Sequence, residues 1–322
     1  MSILILGGTG LIGSRLTRRL HSLGQRVICF DLYPDYSAVA DLDNVEIVVA
    51  DVTRFEDIIA AIRKYDVERI VNLAYILPPE SEERLQLAMR VNQMGMNNVF
   101  EAARLMGIRR VVYASTIAVY GLQDSFGDRP VLEDDHCYPV TVYMAHKLWN
   151  EFMAAKYMER YGMQIPGLRI ANVAAPGRTK GFSAWQSKCI DELAAGNPFT
   201  VPSRRDQRLL IIHVDDTADL FAKLCLQEEL NHAVYNSLAY AITAQEWADA
   251  IRAHLPDARI TFDESAPDQP NIYNWSTRRI ERELNVKISP LEEVIRRHID
   301  EAHARREGEE ERQARSANQL SR

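Results

Sequence analysis

The chain has 322 residues, 47% hydrophobic and 26% charged, with a net charge of −7 at pH 7. That length suits one large α/β domain with a smaller appended lobe, and the negative balance offers no attraction for nucleic acid or an anionic membrane surface. No run of about 18 apolar residues occurs, so no membrane-spanning helix and no membrane partner are expected.

The first apolar run, Ile3 to Leu6, leads into glycines with no charged leader or cleavage site before it. A cytoplasmic protein is therefore expected. Cys29, Cys137, Cys189 and Cys225 are scattered without a CxxC pair, which reads as free or buried thiols in a reducing compartment. The eight histidines form no HxxxH or HExxH pattern, so no metal site is expected.

Short runs rich in Val and Ile follow one another at Ile3–Leu6, Val27–Asp31, Glu46–Val49, Arg69–Leu73 and Val111–Ala114. Amphipathic stretches at Leu11–Leu23, Phe55–Lys64 and Arg90–Met106 separate them. Strand and helix in alternation predict a doubly wound parallel α/β sheet of the Rossmann type, covered on both faces. Later strands are predicted at Leu168–Ile170 and Leu210–Val214. The glycines and prolines after Ala174, and the mixed pattern from Tyr240 onward, predict a smaller mixed α/β lobe. The expected division is a sheet domain of residues 1–173 and 207–239 and a lobe of residues 174–206 and 240–301. The charged segment 302–322 reads as a frayed helix or a disordered tail.

Ile5-Leu6-Gly7-Gly8-Thr9-Gly10-Leu11-Ile12-Gly13 joins the first strand to the first helix. The glycines permit a tight turn and let the backbone approach a pyrophosphate, which would rest on the helix N-terminus. Gly7, Gly10, Leu11, Ile12 and Gly13 are the contacts expected there. A glycine cluster by itself is also what an ordinary turn needs. Asp31 ends the second strand, 18 residues beyond Gly13, where a carboxylate accepts hydrogen bonds from the adenosine ribose and repels a 2′-phosphate. NAD is thus preferred over NADP. The plainer reading of Asp31 is a turn residue before Pro34. Asp51 and Val52 follow the third strand and suit the adenine, while Asp51 suits a helix N-cap equally well.

Tyr143 and Lys147 stand four residues apart, on one face if the segment is helical. A nearby ammonium favours the phenolate and brings a tyrosine into the range of acid–base work. The pair alone is common on solvated helices. Here it follows Val111-Val112-Tyr113-Ala114-Ser115-Thr116, a buried strand ending in hydroxyl residues, at the edge where ligands meet an open α/β sheet.

From Ile3 to Ile299 the chain resembles the extended short-chain dehydrogenases/reductases of the NAD-dependent epimerase/dehydratase family. The resemblance implies that Tyr143, Lys147 and Thr116 are catalytic, with Ser115 beside Thr116, and that Asn92 supports the site from a helix. It also implies that Leu73 and Ala74 lie beside the adenosine, and that Ile170 and Asn172 flank the nicotinamide. Asp215 or Asp216 would cap a late helix.

Departures from the family pattern narrow the expectation. Ile117 and Ala118 replace the acidic pair a dehydratase uses, so dehydration is disfavoured. Leu209 stands where sugar-nucleotide epimerases carry a pyrophosphate-binding arginine, and Ser265-Ala266-Pro267-Asp268-Gln269-Pro270 lacks their R-x-G-D element. Pro139-Val140-Thr141-Val142-Tyr143 and Tyr235-Asn236-Ser237-Leu238-Ala239 resemble the short-chain L-threonine dehydrogenases. The expected activity is oxidation or reduction of a secondary alcohol on a small sugar, sugar acid, polyol or hydroxy-amino acid. The alternatives are a UDP-sugar 4-epimerase with tightly held NAD and a non-catalytic NAD-binding protein. Segments Leu77–Arg84 and Arg178–Trp185 would choose the substrate. A homodimer is expected through Met94, Met96 and Val99 on one helix and Trp149, Phe152 and Met153 on another, unless those faces only cover the sheet.

Overall fold

Four consecutive apolar residues, Ile3 to Leu6, fill β1 (Ser2–Leu6), which is buried along its whole length, as a parallel strand covered on both faces must be. The computed structural model describes residues 1–267 and 272–320, with side chains as far as Gly308. After β1 come α1 (Leu11–Ser22), β2 (Arg26–Asp31), β3 (Val45–Val49), α2 (Phe55–Tyr65), β4 (Arg69–Asn72), α3 (Glu80–Glu83) and α4 (Leu85–Ala88). Then follow α5 (Met96–Leu105), β5 (Arg110–Thr116), α6 (Val142–Tyr161), β6 (Gly167–Ile170), β7 (Asn172–Ala174), α7 (Trp185–Ala194), β8 (Phe199–Val201) and β9 (Arg208–His213). The chain ends with α8 (Val214–Leu226), β10 (Val234–Asn236), β11 (Tyr240–Thr243), α9 (Ala244–His254), β12 (Ile260–Phe262), α10 (Arg278–Leu284) and α11 (Leu291–Leu320).

Seven strands form one sheet in the order β10-β6-β5-β4-β1-β2-β3, each neighbouring pair parallel. This is the Rossmann-type α/β fold expected from the alternating pattern. The strand order reverses between β1 and β4, and in such sheets the crevice beyond the strand ends at that reversal is where ligands bind. Smaller sheets are β11-β9-β7 and the pair β12-β8.

The chain divides into two compact units, the first Met1–Val173, Ile212–Ala239 and Pro270–Ile288, the second Ala174–Ile211, Tyr240–Gln269 and Ser289–Arg322. The core of the first gathers Leu4, Ile28, Ile70, Phe100, Val111 and Tyr113. The second is built around Trp247, with Cys189, Ile190, Leu209, Ile251 and Ile295.

Three expectations need correction, and a fourth had left two readings open. Described residues from 272 to 288 belong with the first unit rather than with the lobe, because Ser276 N–H bonds the Val131 carbonyl and Tyr235 Oη donates to Glu283. The stretch predicted as one helix from Arg90 to Met106 opens with a π-helical turn, Met89–Gly95, before α5 begins. Val214 starts α8 instead of ending β9, and His213, not an aspartate, caps that helix by accepting the Asp215 amide. For the charged segment after Ala302, read as a frayed helix or a disordered tail, the structure has helix, α11 running on to Leu320. Its first half buries Val294, Ile295 and Ile299, and once a helix is nucleated each further turn of good helix formers adds little cost. Asp268, Gln269 and Pro270, part of the stretch lacking R-x-G-D, lie outside the described residues. Among the described residues no helix is long and apolar enough to cross a membrane, and no group of His, Cys, Asp or Glu could hold a metal ion. All four cysteines are free.

One buried ion pair ties three elements of the first unit together. Arg169 on β6 donates from Nε and Nη2 to the two carboxylate oxygens of Glu151 on α6, at 2.9 and 2.7 Å. Glu151 also accepts from the Ser115 hydroxyl on β5. The remaining arginine nitrogen, Nη1, donates to Tyr120 Oη at 2.6 Å and to the Glu133 carbonyl at 3.0 Å. Removing one partner of such a pair strands the other charge in a dry interior. Glu151→Ala is expected to cost about 3–5 kcal/mol, read as a fall in Tm on the order of 10 °C in a thermal melt. Glu151→Leu combined with Arg169→Met is expected to recover most of that loss.

Candidate active site

The glycine loop is shaped by close approach. Gly7 has φ +76, and a Cβ there would press at 3.1 Å on the Ala74 amide nitrogen and the Leu73 carbonyl carbon. A Cβ on Gly13 would overlap the Gly7 carbonyl oxygen. Helix α1 therefore starts hard against the loop, and β4's end stands behind it. Gly10 caps α1 with no side-chain bond, and the first turn carries no acidic residue. The exposed Leu11 and half-buried Ile12 present helix-start amides that no side chain neutralises, which suits a pyrophosphate. Asp31 ends β2 beside this loop. Its Oδ2 accepts from the Thr9 amide at 3.2 Å and the Thr9 hydroxyl at 2.8 Å, so the carboxylate is anchored to the glycine loop.

Asp51 and Val52 follow β3, ahead of α2. Asp51 Oδ1 accepts the Thr53 amide at 2.8 Å, closing an Asx turn ahead of α2, whose N-cap position is Arg54. Val52 is buried, its side chain against Gly95. Each has a local structural job at the third strand's end.

Thr116 is the last residue of β5, with Ile170 in register beside it on β6. Its Oγ1 accepts the Ala118 amide at 3.2 Å. Successive strand residues face opposite ways, and Ser115 accordingly turns to Glu151. The adjacent hydroxyl expected to assist Thr116 is thus a member of the buried ion-pair network. Asn172 opens β7 and is half-buried.

Helix α6 brings Tyr143 and Lys147 onto one face and continues the stripe to Glu151. Its first amides are all taken. The Thr141 hydroxyl accepts from Met144 at 3.2 Å, and the Thr141 carbonyl from Ala145 at 3.0 Å. Glu82, about sixty residues earlier in α3, accepts from both Val142 and Tyr143 at 2.9 Å. Burial raises the Glu82 carboxyl, but these two amides, with the Ser81 hydroxyl and His146, together outweigh it and the net shift is downward. A carboxylate at a helix N-terminus also meets the dipole favourably.

Lys147 is 2% exposed. Its Nζ donates to the Ala114 carbonyl at 2.7 Å and lies 3.4 Å from the ring centroid of Tyr75 and 5.6 Å from that of Tyr143. Tyr75 and Tyr143 meet edge to face at 5.7 Å. Burial pushes the Lys147 ammonium down to about 7, against the opposing pull of Glu151. Asn92 lies in the π-helical turn and clamps Ile76 by its backbone: its Oδ1 accepts the Ile76 amide at 2.8 Å and its Nδ2 donates to the Ile76 carbonyl at 3.0 Å. Asn92 thus acts on the loop that carries Tyr75, through the main chain. Of the two other residues on the Tyr143 helix, His146 is buried and Trp149 half exposed.

Three contributors escaped the sequence reading. Glu151 carried a signal, the continuation of the Tyr143–Lys147 spacing by another four residues. Glu82 and Tyr75 carried none, because only the folded chain sets them beside α6.

The model of the NAD dependent epimerase/dehydratase family matches residues 3–236. Protein CapI of Staphylococcus aureus is 30% identical over 187 residues, and the match spans 55% of either chain, about half of that relative's length. The mitochondrial L-threonine 3-dehydrogenase of Bos taurus is 25% identical over 286 residues, 85% of this chain and 74% of that protein. The crystal structure of the Thermus thermophilus UDP-glucose 4-epimerase in complex with NAD superposes with a TM-score of 0.81 at 24% identity, covering 94% of this chain and 99% of the other.

The Lys147 shift makes a stability prediction. Burial disfavours the charged form, so the folded state loses its proton near pH 7 while the unfolded chain holds it until about 10.5. Below pH 7 both states are protonated and the destabilisation is fully present; between those values stability rises with pH. Lys147→Met is expected to raise Tm most below pH 7, with the gain over wild type shrinking toward pH 10. Paired thermal melts across that range measure it.

Proposed function

This chain belongs to the NAD-dependent epimerase/dehydratase family, its cofactor is NAD, and from that premise we propose that it oxidises a secondary alcohol on a small sugar, sugar acid, polyol or hydroxy-amino acid, or reduces the corresponding ketone. The observation that carries the proposal is Lys147 buried against the end of β5, one helical turn from Tyr143, with Thr116 closing the same strand. An ammonium held without water beside a phenol stabilises the phenolate far more than a solvated lysine would.

In the oxidation, Tyr143 as phenolate takes the hydroxyl proton of the substrate, Thr116 holds the substrate oxygen by a hydrogen bond, and Lys147 keeps the phenol ionised. Gly7 to Gly13 would hold the pyrophosphate of NAD and Asp31 its adenosine ribose, and the bound cofactor would supply a hydride acceptor for the same carbon. In the reverse direction Tyr143 returns the proton to the carbonyl oxygen. Ile117 and Ala118 offer no carboxylate to remove a neighbouring proton, which argues against dehydration.

A UDP-sugar 4-epimerase would use the same first step and is the second reading, favoured by the family's breadth. Two observations weigh against it. Leu209, at the position where those enzymes carry a pyrophosphate-binding arginine, is fully buried in the core of the second unit. Nearby, Arg204 pairs with Asp206 and Arg205 with Glu264. A non-catalytic role would not require the buried lysine.

Incubation with NAD and a panel of sugars, sugar acids, polyols and hydroxy-amino acids is expected to give stoichiometric NADH absorbance from one small alcohol. Conversion of a nucleotide sugar without net NADH would reverse the order of the two readings. Tyr143→Phe is expected to lower turnover by roughly 10³-fold or more, a loss of general base of the usual size, with NAD binding retained by fluorescence titration.

The proposed assembly is a homodimer. Met94, Trp149 and Phe152 are 55%, 47% and 55% exposed, and the Trp149 and Phe152 rings stack loosely at 6.1 Å. Met96 and Val99, expected at the same interface, are core residues instead. A second copy that packs these exposed faces in a helical bundle would bury them. Trp149→Glu with Phe152→Glu is expected to halve the mass seen by sedimentation equilibrium while leaving the circular dichroism spectrum unchanged.

A further inference from the structure

The charge on Lys147 has few places to go. From its own helix Glu151 and Tyr143 face it. From β5 it meets the Ala114 carbonyl, and the neighbouring Ser115 is bound to Glu151. From β6 Arg169 engages both oxygens of Glu151, which commits that carboxylate to the guanidinium. From the segment after β4 come Tyr75 and, at the helix start, Glu82. One carbonyl and a shared carboxylate are little for a buried ammonium, and the group in closest contact with it besides that carbonyl is the face of Tyr75, with the centroid 3.4 Å from Nζ.

We propose that Tyr75 is a positioning residue for the Tyr143–Lys147 pair: its ring face seats the Lys147 ammonium in its charged form, and its edge-to-face contact fixes the Tyr143 phenol. This role rests on the reading of the pair given above. The negative face of an aromatic ring attracts a cation most strongly where water is excluded. It does so without taking an N–H into a directional bond, so the ammonium keeps donors for a ligand hydroxyl.

The segment that carries the ring is held on both sides of Tyr75. Asn72 Oδ1 accepts the amide of Ala74 at 3.1 Å, just before it. Asn92 clamps both backbone groups of Ile76, just after it. Asn150 donates from Nδ2 to the Asn92 carbonyl at 2.9 Å and reaches the Tyr75 hydroxyl at 3.5 Å. Burial raises the Tyr75 phenol well above its usual range, so it stays neutral while Tyr143 ionises. Two tyrosines in edge contact thereby take different parts: one presents a face and the other gives up a proton.

The test uses NAD-loaded protein labelled with ¹³Cζ-tyrosine and ¹³Cε-lysine, with Tyr143→Phe and Lys147→Met assigning the two signals by their disappearance. Tyr75→Phe keeps the face and is expected to leave both titration midpoints where they are in wild type. Tyr75→Leu removes it and is expected to lower the Lys147 midpoint by about one pH unit and to raise that of Tyr143. Should Tyr75→Leu not fold, as judged by circular dichroism, Tyr75→Met takes its place. Unchanged midpoints in the aliphatic variant, or a shift in Tyr75→Phe as large as in Tyr75→Leu, would overturn the role of the ring face. A wild-type Tyr143 that titrates at the ordinary tyrosine value with NAD bound would instead overturn the catalytic reading of the pair. The two failures are separate signals in one experiment, and neither needs the substrate.

Discussion

The rest of the first unit is arranged around a charge pair it cannot hydrate. Arg169 and Glu151 are buried between β6 and α6, and such a pair is tolerable only if its remaining hydrogen-bonding positions are met. Ser115, Tyr120 and the Glu133 carbonyl meet them. These bonds register α6 against β5 and β6 to within a hydrogen-bond length. A slip of one residue along the helix would leave a bare carboxylate facing a bare guanidinium out of reach. That registration places Lys147, one turn before Glu151, at the Ala114 carbonyl, and Tyr143, one turn earlier, near the end of β5.

The start of α6 is governed by a second long-range contact. Ordinarily a helix caps itself with a residue next in sequence, and Thr141 does so here. Glu82 adds a carboxylate from about sixty residues away across the amides of Val142 and Tyr143. The segment between β4 and α5 therefore holds the site from two directions, with Glu82 at the helix start and Tyr75 beside the ammonium. The π-helical turn at Met89–Gly95 belongs to the same device, since it carries Asn92, whose side chain pins the loop at Ile76. Turns of this kind interrupt regular helices most often where a site needs a side chain out of its regular position.

Lys147 shows stability and chemistry in opposition. Its burial disfavours the ammonium, yet in the mechanism proposed above it is the ammonium that holds Tyr143 as phenolate. The conflict is contained by a strand carbonyl and an aromatic face, neither of which can be deprotonated or neutralised near pH 7. A second carboxylate would hold the charge more strongly, but it would also repel the phenolate proposed for Tyr143.

The sequence alone determined the alternation of apolar runs and amphipathic stretches, and with it the parallel sheet, because a strand buried on both faces is apolar along most of its length. It determined the glycine loop, since glycine alone tolerates the Gly7–Gly13 approach, and the Tyr143–Lys147 pair, since a spacing of four is one turn of helix. The place of Asp31 at the end of β2 was legible because it closes an apolar run. Everything that depends on residues far apart in the chain was decided by the tertiary structure. Ser115 and Thr116 are equivalent in a string of letters, but strand alternation sends one into the ion-pair network and leaves the other at the strand's end. Met96 and Val99 are as apolar as Met94 and Trp149, and only the packing of α5 on the sheet tells core from exposed face. Tyr75 and Glu82 have no local pattern at all. Their meaning lies in the groups they meet, and those groups come together only when β4, β5 and α6 have folded against one another.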